Sequence, residues 1–163
     1  DILFLCQDMT NLDLYGTVKA VVCTLDSLNH LKNISEFEKA VKNAALFLEE
    51  DGIFVFDVNT VYKHREVLAN NTFVYDVENV FCVWQNELKN DTVKINLDFF
   101  VEKNGKYERF SECFSETAFE KEKIISVCEN AGLETIGIFD GYSENPVKDN
   151  SERAVFVLKR KKK

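Results

Sequence analysis

The sequence has 163 residues, of which 45% are apolar, and it carries a formal net charge of −8 at pH 7. This length suits a single domain with a core of its own, and the acidic balance argues against a duplex nucleic-acid binder, which needs a basic face. No apolar run approaches the ~20 residues that a membrane-spanning helix needs, so we expect neither nucleic acid nor a membrane among the partners.

The first predicted element is a short buried strand at Ile2–Cys6. The chain opens inside this apolar run, with no initiator methionine and no residues leading into the strand. A natural N-terminus rarely begins in this way, and we therefore expect the chain to be the C-terminal portion of a longer protein. The polar residues that follow include Asp8, which on local sequence alone begins a turn.

A second apolar run, Val18–Thr24, predicts a strand that is covered on both faces, as in a parallel sheet. The chain turns polar directly after this strand, in the loop Asp26–Leu31, which carries Asn29 and His30. Ligands of open α/β sheets bind in the crevice beyond the carboxyl ends of the strands. This loop is therefore the first candidate for part of a site.

The pattern after the loop predicts an amphipathic helix. Ser35 and Glu38 have the spacing of a capping box at its start, and Gly52 is expected to supply the left-handed residue that ends it. Apolar residues recur at helical spacing between these two points: Phe37, Val41, Ala44, Ala45 and Leu48. Such a helix packs on a sheet, and we assign it no catalytic role.

Ile53–Phe56 is the third predicted buried strand, and it ends at Asp57-Val58-Asn59. A strand, a helix and a strand form a βαβ unit, which crosses over right-handed and makes the two strands parallel neighbours. The polar segments Thr24–Asn29 and Asp57–Thr60 then open on the same edge of the sheet. This convergence predicts a site from the residues alone.

An antiparallel meander is predicted after a short helix at Val61–Ala69. Apolar and polar residues alternate in segments at Phe73–Leu88, Thr92–Lys103 and Tyr107–Ser115, which favours about three strands. Asn104-Gly105 is typical of a type I′ hairpin turn. The aromatic residues of this segment, Trp84 among them, form either its own small core or part of a pocket.

The last predicted elements are one helix and two strands. Thr117 and Glu120 have capping-box spacing at the start of the helix, and Gly132 ends it. The strands are Thr135–Phe139 and Arg153–Leu158, joined by a long polar loop that carries Tyr142.

Three segments resemble a class I S-adenosylmethionine-dependent methyltransferase of the small bacterial branch whose central loop reads Asp-Ser-Leu-Asn. They are Gln7-Asp8-Met9, Cys23-Thr24-Leu25-Asp26-Ser27-Leu28-Asn29-His30-Leu31 and Phe54-Val55-Phe56-Asp57-Val58-Asn59. The resemblance implies an α/β fold: a partial Rossmann-like sheet of parallel strands flanked by helices, with an antiparallel last strand and an inserted antiparallel β-meander. It implies one domain over residues 1–163, with residues 72–116 as an insertion or lid. The part of the family that this chain resembles does not include the first strand or the glycine-rich loop.

The same resemblance implies a set of site residues. The cofactor is S-adenosylmethionine, and its expected contacts are Asp8, Met9, Cys23, Thr24, Leu25 and Asn29. In the family the acidic residue and its neighbour read the adenine ring, which gives this role to Asp8 and Met9. The expected substrate contacts are Asp26, His30, Asp57, Asn59, Trp84 and Tyr142. For Asp26 and Asp57 loop capping is an equally good interpretation, and a lone histidine such as His30 is often a surface residue.

Two cofactor-binding features of the family are absent from this chain, and one further departure narrows the acceptor. No Gly-x-Gly-x-x-Gly stands in a strand-to-helix turn, and the acidic ribose-binding residue of the next strand is absent. Thr24-Leu25-Asp26-Ser27 stands where methyltransferases of base amino groups and glutamine carry Asn/Asp-Pro-Pro-Tyr. This disfavours DNA bases and glutamine amides, and leaves a small molecule as the acceptor.

The predicted function is methyl transfer from S-adenosylmethionine to a small-molecule acceptor, by a methyltransferase that is inactive as this fragment. The alternatives are a non-catalytic α/β binding or dimerisation module and a nicotinamide-dependent oxidoreductase fragment. Without the missing strands, the edge of Val18–Thr24 is unpaired, and such an edge recruits another strand. We expect Ile2–Cys6, a second molecule or residues outside this chain to cover it, and a homodimer would form there or through the β insertion.

The cysteines predict a reducing, cytoplasmic compartment. They are odd in number, and no two form a Cys-x-x-Cys pair: Cys6, Cys23, Cys82, Cys113 and Cys128. This pattern is typical of reduced core thiols rather than a disulfide framework or a zinc site. With only two histidines in addition, the sequence predicts no metal centre.

Overall fold

Two four-stranded sheets organise the chain in this computed structural model, which describes residues 2–162. The first sheet has the order β1-β2-β8-β7, with strands Val18–Cys23 (β1), Leu48–Asn59 (β2), Leu133–Asp140 (β7) and Arg153–Arg160 (β8). β1 and β2 are parallel, whereas β8 runs antiparallel to both of its neighbours, β2 and β7. The predicted fold class, with parallel strands and an antiparallel last strand, is confirmed.

Two helices, Ile34–Phe47 (α1) and Lys121–Asn130 (α2), pack on this sheet and form the main core with it. Alternate residues of the central strands β2 and β8 are buried towards the core, and Phe56 stacks on Phe156 with ring centroids 4.9 Å apart. Phe37 of α1 meets Phe56 edge-on. This packing fixes the position of the carboxyl end of β2, where the chain turns polar.

The second sheet is a meander of four strands rather than the three or so expected. Its strands are Thr72–Val77 (β3), Val80–Lys89 (β4), Thr92–Lys103 (β5) and Lys106–Thr117 (β6), paired antiparallel in that order. The predicted hairpin turn is confirmed, since both Asn104 and Gly105 have positive φ, at 55° and 73°. The sheet has its own small core, built on Val93 and Ile95.

The predicted strand at Ile2–Cys6 is wrong. These residues have no regular structure and are exposed, Phe4 to 86% of its surface. An apolar run forms a strand only where a neighbour satisfies its backbone groups, and no strand of the described residues lies beside this one. For the same reason Ile2–Cys6 does not cover β1, whose outer edge pairs with no strand of residues 2–162.

Neither predicted capping box forms as expected. Asn33, not Ser35, caps α1, because its Oδ1 accepts from the backbone N–H of Glu36 at 3.0 Å. Glu36 Oε2 in turn accepts from the backbone N–H of Lys32. Thr117 ends β6 instead of starting a helix, and α2 begins after Glu120 without a side-chain cap.

Of the two glycines expected to end helices, only Gly132 does so, with φ of +81° directly after α2. α1 ends at Phe47, and the left-handed residue beyond it is Asp51 rather than Gly52. Gly52 is required for a different reason: a Cβ there would stand 2.8 Å from the backbone oxygen of Glu49. The short helix predicted over Val61–Ala69 is mostly a π-helix, Lys63–Leu68.

The five cysteines are free, but only Cys82 and Cys128 are buried, so the expectation that most are core residues is wrong. Cys6 and Cys113 are exposed. Within residues 2–162, no helix has both the length and the apolar character needed to cross a membrane.

Candidate active site

The ends of β1 and β2 lie side by side, as the sequence predicts. The backbone N–H of Asp26, in the loop after β1, donates to Asp57 Oδ2 on β2 at 3.0 Å. Leu25 and Asp26 both have positive φ, at 58° and 50°. Non-glycine residues seldom adopt this conformation, and here it turns the chain so that Asp26 faces β2.

Asn29 and Asn59 lock the two strand ends together. Asn29 Oδ1 accepts from the backbone N–H of Asn59 at 2.9 Å, and its Nδ2 donates to the carbonyls of Asn59 and Thr117, each at 3.1 Å. Asn59 Nδ2 donates to Asp26 Oδ2 at 2.8 Å and to Glu116 Oε2 at 3.0 Å. Both buried amides thus use all their donors, and Thr117 and Glu116 tie the second sheet to the first.

Arg153, at the start of β8, reaches both carboxylates of the site. Its Nη1 donates to Asp57 Oδ2, and its Nη2 donates to Asp26 Oδ1 at 2.9 Å. Tyr142 lies beside this guanidinium, with Arg153 Cζ 5.9 Å from the ring centroid. Tyr142 is largely exposed.

We call the six residues joined by these bonds the polar cluster: Asp26, Asn29, Asp57, Asn59, Glu116 and Arg153. The space between the two strand ends is thus occupied by interlocked polar side chains, not by packed hydrocarbon. Two residues of the π-helix adjoin it, since Lys63 Nζ donates to Asn59 Oδ1 at 2.9 Å and His64 Nε2 lies 3.8 Å from Glu116 Oε2. π-helical turns such as Lys63–Leu68 are frequent at functional sites.

Burial changes the acidity of three groups here. It raises the pKa of the Glu116 carboxyl, against the hydrogen bond from Asn59, which lowers it. It lowers the pKa of His64, whose ring is fully enclosed. Burial, and next the charge of Asp57, raise the pKa of the Cys23 thiol. Low dielectric favours the uncharged form in each case.

The residues expected at the adenine ring lie outside the polar cluster. Asp8 Oδ1 accepts from the backbone N–H and the hydroxyl of Thr10, both at 2.7 Å, so Asp8 caps the turn Met9–Asn11. Met9 lies against α1, where its carbonyl accepts from Asn43 Nδ2. These contacts agree with the interpretation from local sequence that Asp8 begins a turn.

The other predicted residues divide between the rim and the second sheet. Thr24 and Leu25 are exposed beside Asp26, and Cys23 ends β1 half-buried. His30 lies at the rim, with its Nε2 4.0 Å from Glu116 Oε1 and its ring 5.3 Å from Phe114. Trp84 instead packs on Phe73 in the small core of the second sheet, and its indole N–H donates to Asn86.

A cavity of about 230 Å³ lies elsewhere, on the helix-covered side of β2. Val58, Thr60, Phe119 and Ile124 contribute to its lining, and none of the predicted site residues does. Its walls combine apolar side chains, charged residues and a local hydrogen bond from Thr60 Oγ1 to the carbonyl of Ser151. We therefore place the candidate site at the polar cluster.

Sequence reasoning missed Arg153, Glu116, Lys63 and His64. Arg153 and Glu116 come from elements distant in sequence, so no local spacing marks them, whereas Lys63 and His64 follow directly after the end of β2. One signal was available for Glu116. It lies two residues after Phe114 on the same, inward-facing side of β6, so a carboxylate stands where the alternation of apolar and polar residues predicts an apolar side chain.

Known proteins similar to this chain are methyltransferases. A Bacillus subtilis (strain 168) protein named "Putative methyltransferase YqeM" is 30% identical over 164 residues, covering 99% of this chain and 66% of that protein. A crystal structure of an S-adenosylmethionine-dependent methyltransferase from Clostridium acetobutylicum ATCC 824 is 34% identical, with a TM-score of 0.92 over 97% of this chain and 64% of that one. The chain belongs to the class I S-adenosylmethionine-dependent methyltransferases.

A second similar structure shares the methyltransferase fold at lower identity. CalS10 of Micromonospora echinaspora, an amino pentose methyltransferase solved with bound S-adenosylmethionine, has a TM-score of 0.75 and 21% identity over 94% of this chain and 63% of its own. No protein-family profile matches the chain. The chain thus spans about two thirds of the length of these methyltransferases.

Membership in this family confirms the predicted resemblance, and the cofactor it assigns is S-adenosylmethionine. It also decides between the readings of the sequence. The similar proteins support neither the non-catalytic binding module nor the nicotinamide-dependent oxidoreductase. They give no support to the expectation that this chain is inactive.

Proposed function

We propose that the protein transfers a methyl group from S-adenosylmethionine to a small-molecule acceptor at the polar cluster. The observation that carries this proposal is the side-by-side placement of the β1 and β2 ends, joined by Asn29 and Asn59, in a methyltransferase fold. CalS10, which has the same fold, acts on an amino pentose, an acceptor of the proposed size.

The chemistry asks for positioning more than for reactive side chains. A sulfonium methyl group is already activated, so an enzyme mainly orients the acceptor in line with it and excludes water. In the proposal, Cys23, Thr24, Leu25 and Asn29 lie along the cofactor. His30 borders the acceptor beside Glu116, and Tyr142 borders it beside Arg153.

Asp26, Asp57 and Asn59 act by holding the shape of the site. Arg153 and the neighbouring amides already occupy their side chains, which favours the capping interpretation of the two aspartates over direct contact with the acceptor. The adenine contacts of Asp8 and Met9 and the acceptor contact of Trp84 stay predictions, and the packing of Trp84 argues for a structural role.

The second sheet serves as a lid in this proposal, within a single domain. Residues 72–116 approach the strand ends through Glu116, which accepts from Asn59. Because His30 also packs beside Phe114, movement of β6 would change the acceptor side of the site.

We further propose a homodimer formed through the open edge of β1 and a cytoplasmic location. The free thiols support the second of these. The first rests on the unpaired backbone of β1 beside exposed apolar side chains.

Titration calorimetry tests the cofactor role with a matched pair of variants. Leu25 is 71% exposed beside the polar cluster, and Leu46 is 62% exposed on α1. Leu25→Lys is expected to weaken binding of S-adenosylhomocysteine by the protein with its complete coding sequence by roughly tenfold, which corresponds to about 1.4 kcal/mol. Leu46→Lys should bind as the wild type does.

A protein that binds NAD or NADP and not S-adenosylhomocysteine would contradict the proposal. Equal weakening by both lysine variants would show that the cofactor does not lie along the loop after β1.

A further inference from the structure

Glu116 lies between two histidines that come from different elements. Its Oε1 is 4.0 Å from Nε2 of His30, at the rim of the site, and its Oε2 is 3.8 Å from Nε2 of His64, in the π-helix. The side chain is almost fully buried, while His30 is about half exposed. A carboxylate thus stands between a solvent-facing imidazole and an enclosed one, and these are the two histidines of the chain.

The hydrogen bonds of His64 define its tautomer. Its Nδ1 lies 2.9 Å from the carbonyl oxygen of Asp91, which can only accept, so Nδ1 carries the proton. The neutral ring then presents a lone pair at Nε2. That atom is fully buried and has no hydrogen-bond partner among the described residues. An unsatisfied buried acceptor is unfavourable, and the nearest group able to bring it a proton is Glu116.

Arg153 does not reach every carboxylate of the cluster. It forms ion pairs with Asp26 and Asp57, while Lys63 donates to the amide oxygen of Asn59. Glu116 is the one carboxylate of the cluster with which Arg153 forms no ion pair, and it faces the two histidines instead.

The groups that face Glu116 do not all act in the same direction. Burial and Asp26 raise the pKa of Glu116, whereas the Asn59 hydrogen bond, His30 and Lys63 lower it. Burial lowers the pKa of His64 and keeps it neutral. Both burial effects favour a proton on the carboxyl, whose Oε2 lies 3.8 Å from the Nε2 lone pair of His64.

We propose that Glu116 is the proton-accepting residue behind the methyl acceptor, taking up through His30 the proton that the acceptor loses and holding it against Nε2 of His64. This rests on the proposed function. The acceptor's X–H bond breaks and its proton passes to His30 Nδ1, while the proton on His30 Nε2, the nitrogen that faces Glu116, passes to the Glu116 carboxylate. The freed electron pair forms the bond to the methyl carbon, while the electrons of the methyl–sulfur bond leave with the sulfur. Glu116 and His64 act through His30 and position it; they are not themselves in contact with the acceptor.

Nuclear magnetic resonance of the ¹⁵N-histidine-labelled chain tests the proton position without cofactor. We expect the Nε2 signal of His64 to move in one step as the pH falls, with a midpoint above 4.5, the ordinary value for Glu116. His64→Asn identifies the signal, because an asparagine amide can still donate to Asp91. Glu116→Gln should abolish the step and keep the fold, since its amide can donate to Nε2.

Methyl transfer by the protein with its complete coding sequence tests the use of that proton. Glu116→Gln should lower kcat about 100-fold, the low end for a general base, with KM for S-adenosylmethionine unchanged, and should remove the acid limb of the pH profile. Glu112→Gln, on the same strand but exposed, is the matched control and should behave as the wild type.

A His64 signal that is flat, or whose step persists in Glu116→Gln, overturns this proposal alone. Wild-type kcat in Glu116→Gln does the same and leaves Glu116 a link between the two sheets. A wild-type protein that transfers no methyl group overturns the proposed function together with this one.

Discussion

Arg153 supplies the positive charge that lets the two aspartates of the site, Asp26 and Asp57, lie next to each other. Asp57 is 1% exposed, and its Oδ2 accepts both from Arg153 and from the backbone N–H of Asp26. A buried carboxylate without a cation is strongly destabilising, whereas a neutral group of the same shape is tolerated. The guanidinium also has the two-pronged geometry that lets it bond both carboxylates at once.

Replacing this arginine should therefore cost more than replacing an exposed one. We expect Arg153→Met to lower the free energy of unfolding by about 3 kcal/mol, because Asp57 is left buried and unpaired. Urea denaturation followed by Trp84 fluorescence measures this. Adding Asp57→Asn should recover much of the loss.

Arg109→Met is the control, since Arg109 pairs with Asp98 at the surface and should change the unfolding free energy little. If the two arginine variants are equally stable, or if Asp57→Asn adds to the loss, the cation is not what stabilises Asp57.

Four of the six residues of the polar cluster were predictable from sequence, and the reason is local. Asp26, Asn29, Asp57 and Asn59 follow two buried strands directly, and parallel strands joined by a helix end on the same side. Arg153 and Glu116 could not be placed in this way. Their positions depend on the pairing of β8 with β2 and on how the second sheet meets the first, which are set by tertiary packing.

At the scale of elements, apolar periodicity predicted the type of nearly every helix and strand but not their ends. The exception, Ile2–Cys6, shows that an apolar run is not sufficient without a neighbouring strand. The start of α1 was wrong because two residues near it can cap a helix, and the start of α2 was wrong because no side chain caps it. Asn33 and Ser35 both can accept a backbone N–H, and the chain uses the first.

The two candidate caps of α1 are separable by mutation. Asn33→Ala removes the bond to the Glu36 N–H and should lower the free energy of unfolding by about 1 kcal/mol. Ser35→Ala should leave it nearly unchanged, because Ser35 lies inside the helix and is exposed. Thermal and urea denaturation of both variants measure the difference. The reverse order would restore the capping box inferred from the sequence.

At the scale of the whole molecule, the open edge strands of the two sheets differ in the charge of their side chains. β1 is one edge of the first sheet, with Val22 65% exposed and the apolar residues Ile2–Leu5 exposed nearby in sequence. β3 is an edge of the second sheet, and it carries Asp76 and is followed by Glu78. Charged side chains on an edge strand oppose pairing with another chain. The β1 edge is therefore the better surface for self-association.

This difference predicts which edge of the 163-residue chain associates. We expect sedimentation velocity to show a species larger than the monomer that increases with protein concentration, because the unpaired backbone of β1 accepts a strand from a second copy. Val22→Lys places a charge on that edge and should shift the chain to monomer. Val74→Lys, at a similarly exposed position of β3 (56%), should associate as the wild type does. Dissociation by Val74→Lys alone would move the interface to the second sheet, and a wild-type chain that is monomeric at all concentrations would refute association through either edge.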